Sequence, residues 1–372
     1  MLFRSFGHLG QAQALIGGEP ASAGKAYVLS ELARYRMLAD EFDLQTGLEA
    51  LELAEALGLD EIRASVLITN GMGRTLSGDP QGTADLKRGL EIALAGNFPT
   101  SAIRGYSNLS HAAQSVDGDL AEGLRLALEA EQVAQRFGTR ALLRWTRGAL
   151  IGLWFELGDW DRCARAADEF LAESASLGPH YYDTHIRCAR SWMRLARGDA
   201  EAALEDQAEL LVSARQAKDP QVLNPALAVS AYVLAATGQA ERGQRMLAEL
   251  FAAEGADLGS HYESLTDGVL AAEILGRRDE ARRWIGDRRD SPWFAVAHAL
   301  ADQEFARAAE ALDSMGAARS AALARLCAAQ EPGKTARPAE VDDQLRQALD
   351  FFRSVGATRF IREGEALLAE SA

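Results

Sequence analysis

Apolar residues recur along the chain at spacings of three and four, and glycine interrupts them at regular points. In one such stretch Leu120, Leu124, Leu126, Ala127 and Val133 draw the stripe of a helix buried on one side. Helix-breaking pairs stand at Gly78-Asp79, Gly118-Asp119, Gly158-Asp159, Gly198-Asp199 and Gly238-Gln239, five successive turns 40 residues apart. A second series of breakers falls about halfway between them, at Gly96-Asn97, Gly138-Thr139, Gly178-Pro179, Lys218-Asp219-Pro220 and Leu258-Gly259. Each repeat therefore reads as a helix, a tight turn, a second helix and a looser connection.

Five residues after each first glycine stand Thr83, Gly123, Cys163, Ala203 and Gly243, and Ala281 follows Gly276 in the same way. All are small, as expected where the second helix of an antiparallel pair approaches the first closely. Cys163 shares this position with Gly and Ala, so its expected role is packing.

The ends are less regular. Ala21 to Leu38, then Phe42-Asp43 and Leu44 with Gly47-Leu48, read as an earlier copy, preceded by a terminal segment or partial cap over residues 1–20. Beyond Gly276 the units shorten, and Gln303-Glu304-Phe305-Ala306-Arg307-Ala308 reads as one more turn and second helix. The predicted organisation is a helical array over 21–328, a linker over 329–338 carrying Pro332, Gly333 and Pro338, and a final helix pair over 339–372 that caps the array and breaks at Gly356.

Composition fits an all-α chain. Of 372 residues 71 are Ala, the best helix former, and only 9 are Pro. A net charge of −15 argues against broad binding to nucleic acid or to an anionic membrane. Only four of the 39 basic residues are lysines. Cys163, Cys188 and Cys327 are odd in number and share no CxxC spacing, so no disulfide framework is expected. The start, Met1-Leu-Phe-Arg-Ser-Phe-Gly-His, carries no long apolar export core, and no later stretch approaches about 18 uninterrupted apolar residues. The expected location is the cytoplasm.

Gly158-Asp159-Trp160-Asp161-Arg162-Cys163 and Gly118-Asp119-Leu120-Ala121-Glu122-Gly123 are similar to the turn of tetratricopeptide (TPR) repeats. The 40-residue period resembles the longer, MalT-like repeats of bacterial signal-transduction ATPases, which carry an adenylate/guanylate cyclase domain in front or a LuxR-type DNA-binding domain behind. Ala348-Leu349-Asp350-Phe351-Phe352-Arg353-Ser354-Val355-Gly356-Ala357 looks like the end of their repeat region, and Asp85 to Ala93 like one of its interior helices. The resemblance implies a right-handed superhelical solenoid of antiparallel helix pairs. It does not carry the family's catalysis, because Gly24-Lys25 is followed by Ala26, Gly18 lies one residue too far away for a phosphate-binding loop, and no cyclase segment is present. The expectation is the repeat module alone, either free-standing or as a fragment of a longer regulator.

The resemblance also implies that first helices line a concave binding face, with inward positions roughly 13, 10 and 6 residues before the glycine. Among the positions that spacing selects, from Ser65 to Tyr232, the candidate binding residues are Met72, Asn108, Trp145, His185, Trp192 and Tyr232, flanked by Arg144, Arg147 and Arg187. Aromatics beside Arg suit a partner helix or extended peptide with acidic groups. The expected function is thus a non-catalytic scaffold binding a protein, a peptide or an adjoining ATPase or cyclase domain. The alternatives are small-molecule sensing by the Trp145, Trp192 and Tyr232 cluster, or a C-terminal fragment of a multidomain regulator. No catalytic constellation stands out. His185 and Cys188 have helical spacing for two zinc ligands but lack a third and fourth, so neither metal nor cofactor is expected. The basic run from Arg277 to Arg289 is interspersed with Asp279, Glu280, Asp287 and Asp290 and reads as a solvated surface with local ion pairs.

Overall fold

The computed structural model describes residues 2–16, 18–39, 41–138, 140–252, 263–288, 291–330 and 339–371. Expectations falling on Thr139, Leu258-Gly259, Arg289, Asp290 and most of the 329–338 linker lie outside the described residues. Among them the chain is all-α, with twenty α-helices, one π-helical turn and no strand. The helices are α1 (Leu2–Ile16), α2 (Ala23–Leu38), α3 (Leu44–Ala56), α4 (Asp60–Leu76), α5 (Gly82–Ala95), α6 (Pro99–Ala112) and α7 (Leu120–Phe137). There follow α8 (Arg140–Leu157), α9 (Trp160–Leu177), α10 (Asp183–Ala196), α11 (Ala200–Ala217), α12 (Pro220–Ala236), α13 (Ala240–Ala252) and α14 (Glu263–Ile274). The last six are α15 (Arg278–Ile285), α16 (Pro292–Ala301), α17 (Phe305–Ser314), α18 (Ala318–Gln330), α19 (Ala339–Ser354) and α20 (Thr358–Ser371).

The Gly-Asp signature has a direct structural cause. Gly158 and Gly198 adopt φ of +91° and +88°, the left-handed conformation that ends a helix and that a side chain would strain. The next amide turns back to satisfy the helix, Asp159 N–H donating to Trp154 O and Asp199 N–H to Arg194 O, both at 2.9 Å. Each Asp then caps the following helix, Asp159 accepting from Arg162 N–H at 3.4 Å and Asp199 from Ala202 N–H at 3.1 Å. One dipeptide thus ends one helix and starts the next. Asn97, Lys218 and Gln303 take the same left-handed conformation without being glycine.

Small residues sit at the helix contacts as expected, with one exception. Cys163 and Ala203 are fully buried, the Cys163 thiol donates to Ile151 O, and Ser191 Oγ donates to Ala203 O at 2.7 Å. Thr83 is exposed instead. The turn after Gly78 passes through Pro80, α5 starts at Gly82, and Gly82 takes over the contact: a Cβ there would stand 2.7 Å from Gly71 O.

The chain divides into two compact units, one of residues Met1–Val116 and Glu122–Thr146, the other of Asp117–Ala121 and Arg147–Ala372. In the first, α2, α4 and α6 are neighbours in a row, with α3 and α5 packed behind them. Its main core gathers Ile68, Met72, Leu86 and Leu90.

In the second unit α10, α12, α14 and α16 form a similar row. The C-terminal pair does more than cap the preceding repeat. Helix α20 lies against both α10 and α18. Thr358 Oγ1 donates to Arg197 O at 2.6 Å, and Arg359 donates to Ala236 O at 2.8 Å, so the start of α20 satisfies carbonyls at the ends of α10 and α12. Phe351, Phe352 and Phe360 enter an aromatic core with Trp160 and Trp192, the Trp192 to Phe360 centroid distance being 5.4 Å.

Candidate binding sites on the first helices

The first helices of the second unit are filled from within. Arg319 on α18, 2% exposed, donates from Nε to Glu156 of α8 at 2.7 Å and from Nη1 to Asp267 of α14 at 2.8 Å. The Ser320 amide donates to the other Glu156 oxygen at 3.3 Å, and the guanidinium stacks 4.9 Å from the ring centres of Phe155 and Trp192. Burial works against the Arg319 charge, but the two carboxylates hold its pKa above the ordinary arginine value. Burial raises the Asp267 pKa, with Arg319 opposing the rise.

Several residues expected on a concave face are therefore core. Trp192 is 0% exposed, stacks on Tyr232, itself 4% exposed, and packs against Phe360. An open groove lined by these two aromatics is corrected by this packing: α18 and α20 occupy the space. Met72 is buried in the core of the first unit, because Ile68 and Met72 pack α4 onto its neighbours. Arg144 is also buried, and Arg187 is committed to Glu209 of α11 at 2.7 Å. His185 lies 3.3 Å from Gln221 O, and the Tyr181 and Tyr182 rings stand 5.6 and 5.8 Å from it. Asn108 is half-buried, Arg147 is exposed with Glu173 at 4.0 Å, and Trp145 is 37% exposed. Of the expected aromatics it alone presents a large surface.

All three cysteines are held as thiols, burial pushing Cys163 and Cys327 to about 12 and Cys188 higher still. No three His, Cys, Asp or Glu side chains come together as a metal ion requires among the described residues. The basic segment after Gly276 forms the expected local pairs, Arg278 bidentate on Glu273 and Arg282 reaching Asp279 and Asp302.

Sequence reasoning missed Arg104. This residue lies on α6 in the first unit and spans to α4, donating from Nη1 to Ser65 Oγ at 2.8 Å and from Nη2 to Thr69 Oγ1 at 2.9 Å. Among the described residues no carboxylate lies within ion-pair distance. Burial pulls its pKa down to about 10, the nearby Arg34 adds to the fall, and Glu31 opposes it. Glu31 is already paired to Arg34 at 3.3 Å, so these three side chains carry a net positive charge. Two hydroxyls orient the Arg104 guanidinium without neutralising it. Its only sequence signal was Ser65 and Thr69 one helical turn apart on the face that α6 meets.

A second feature lies wholly in the second unit. A cavity of about 480 Å³ is bounded by α12, α14, α17, α18 and α20, with Tyr232, Glu273, Cys327, Arg359 and Glu363 among its walls.

These observations define an all-α protein of repeated antiparallel helix pairs whose second unit is packed across its first helices. No protein-family profile and no curated protein matches the chain. Among solved structures it is similar to a "circular tandem repeat protein with novel repeat topology and enhanced subunit contact surfaces", at 15% identity over 100% of this chain and 97% of that one, with a TM-score of 0.22. Such a score does not superpose the two folds, and the architecture above rests on this chain's own helices.

Proposed function

We propose that the protein is a non-catalytic, cytoplasmic TPR-like scaffold that binds an acidic protein segment on the first helices of its first unit, α2, α4 and α6. Arg104 carries this reading. A partly buried guanidinium held by two hydroxyls and no carboxylate pays a desolvation cost that an incoming carboxylate would reverse, and the neighbouring Arg34 and Glu31 leave the surface positive. The chain as a whole carries −15, so a basic spot that attracts acids is local and selective. Polar Asn108 on α6 adds a hydrogen-bonding group suited to a peptide. The similarity of the turns to TPR repeats supports a regulatory role, with the partner supplied by another protein or by an adjoining ATPase or cyclase domain.

The test uses a fluorescent peptide of alternating Glu and Leu, with its Lys-Leu counterpart as control. The acidic peptide binds, its affinity falls as salt rises, and Arg104→Met weakens it at least about tenfold, or roughly 1.4 kcal/mol. Equal binding of both peptides, or an unchanged affinity in the variant, overturns the proposal. Stability gives an independent reading: Arg104→Met leaves the melting temperature unchanged or raises it, because the side chain removed is a cation without a countercharge.

A further inference from the structure

The cavity in the second unit points to a separate small-molecule site. Its walls come from five helices, with Leu270 and Ile274 on α14, Phe305 on α17, Leu323 and Leu326 on α18, and Phe360 on α20 among the apolar groups. The polar groups divide into those already committed and those that are not. Glu273 accepts from Arg278 at 2.6 and 2.7 Å and from Gln303 at 2.9 Å. Arg359 is used twice, donating to Glu363 Oε1 at 3.0 Å and to Ala236 O.

The Tyr232 hydroxyl, one Glu363 oxygen, the Cys327 thiol and the Gln330 amide remain on the walls. Among the described residues the Tyr232 hydroxyl and Glu363 Oε2 have no hydrogen-bond partner, and neither is sealed away from the cavity. One is a carboxylate oxygen that only accepts, and the other is a phenol that accepts as well as donates. Burial holds both Tyr232 and Cys327 protonated, Glu363 adds to each rise and Arg359 opposes it at Tyr232, and with two carboxylates against one guanidinium on the walls the interior favours a positive guest. A volume of about 480 Å³ suits a compact organic molecule rather than a peptide.

We propose that this cavity binds an amphiphilic amine, an apolar body whose ammonium group donates to Glu363 Oε2 and to the Tyr232 oxygen. The site is independent of the acidic-segment surface of the first unit and stands or falls separately from it.

The experiment compares phenylpropylamine, phenylpropanol and phenylpropanoate by calorimetry on the full chain, and repeats the series on Glu363→Gln and on two cavity-filling variants, Ile274→Trp and Leu326→Trp. Ile274 is 51% exposed at the cavity wall, so its replacement fills space with little risk to folding. The amine binds at least about tenfold more tightly than the alcohol, and the acid binds weakest. Glu363→Gln removes the preference of amine over alcohol, and a filling variant that retains the wild-type melting profile removes binding of both. No heat with any of the three compounds, tighter binding of the acid, or full amine affinity in the filled variants overturns the proposal.

Discussion

Replacing Arg319 by Met tests whether the second unit is held together across its first helices. The side chain links α18 to Glu156, 163 residues earlier in the chain, and to Asp267, 52 residues earlier, and all three groups are buried. Met fills much of the volume but leaves two carboxylates without their cation. Removing one partner of a buried ion cluster costs about 3–5 kcal/mol, and loss of stacking on Phe155 and Trp192 adds about 0.5–2 kcal/mol. Trp160 and Trp192 lie in the same unit and are fully buried, so tryptophan emission during urea unfolding reports on it. The expected result is a transition at lower urea, with a loss of at least about 3 kcal/mol. A triple variant, Arg319→Met with Glu156→Leu and Asp267→Leu, recovers much of that loss because no charge remains buried. A loss under about 1 kcal/mol in the single variant, or no recovery in the triple, refutes the reasoning.

Asp267 makes stability depend on pH in a stated direction. Its folded pKa is raised, so the folded state binds the proton more readily, and its contribution is greatest near or below the ordinary value of 3.8 and is lost as pH rises through the folded pKa. The stability of wild type relative to Asp267→Asn, followed by urea unfolding from pH 4 upward, therefore falls with pH. Trp192→Ala costs about 3–5 kcal/mol and leaves binding of the acidic peptide to the folded protein unchanged, as calorimetry at low temperature will show. Gly82→Val destabilises the first unit by about 1–3 kcal/mol, because its side chain would enter the backbone of α4, and thermal unfolding measures it.

The repeat was legible because its cause is local. A left-handed glycine at each of the five turns, and an Asp that caps the next helix after Gly158 and Gly198, require particular residues at particular places, so the 40-residue recurrence marks the helix pairs in the sequence itself. The shortened helices after Gly276 and the break at Gly356 were readable for the same reason. The inner face was not readable in this way. The spacing taken from TPR repeats selects Met72, Trp192 and Tyr232, but whether such residues meet solvent depends on what lies opposite them. Here Phe352 and Phe360 lie opposite Trp192 and its neighbours, more than 150 residues later, and no local period encodes that meeting. A hint existed in the composition of those positions: large aromatics on a first-helix face, with three phenylalanines in the C-terminal pair, match an apolar cover better than a wet groove. Arg104 was hidden for a different reason. Its character comes from lacking a carboxylate in space, while the sequence around it is ordinary.

Hydrogen exchange of the full chain with and without the alternating Glu-Leu peptide tests the central claim most directly. Protection confined to α2, α4 and α6 around Ser65, Thr69 and Arg104, and absent in Arg104→Met, is the predicted result. Protection centred on α10 and α12, or none at saturating peptide, contradicts the account.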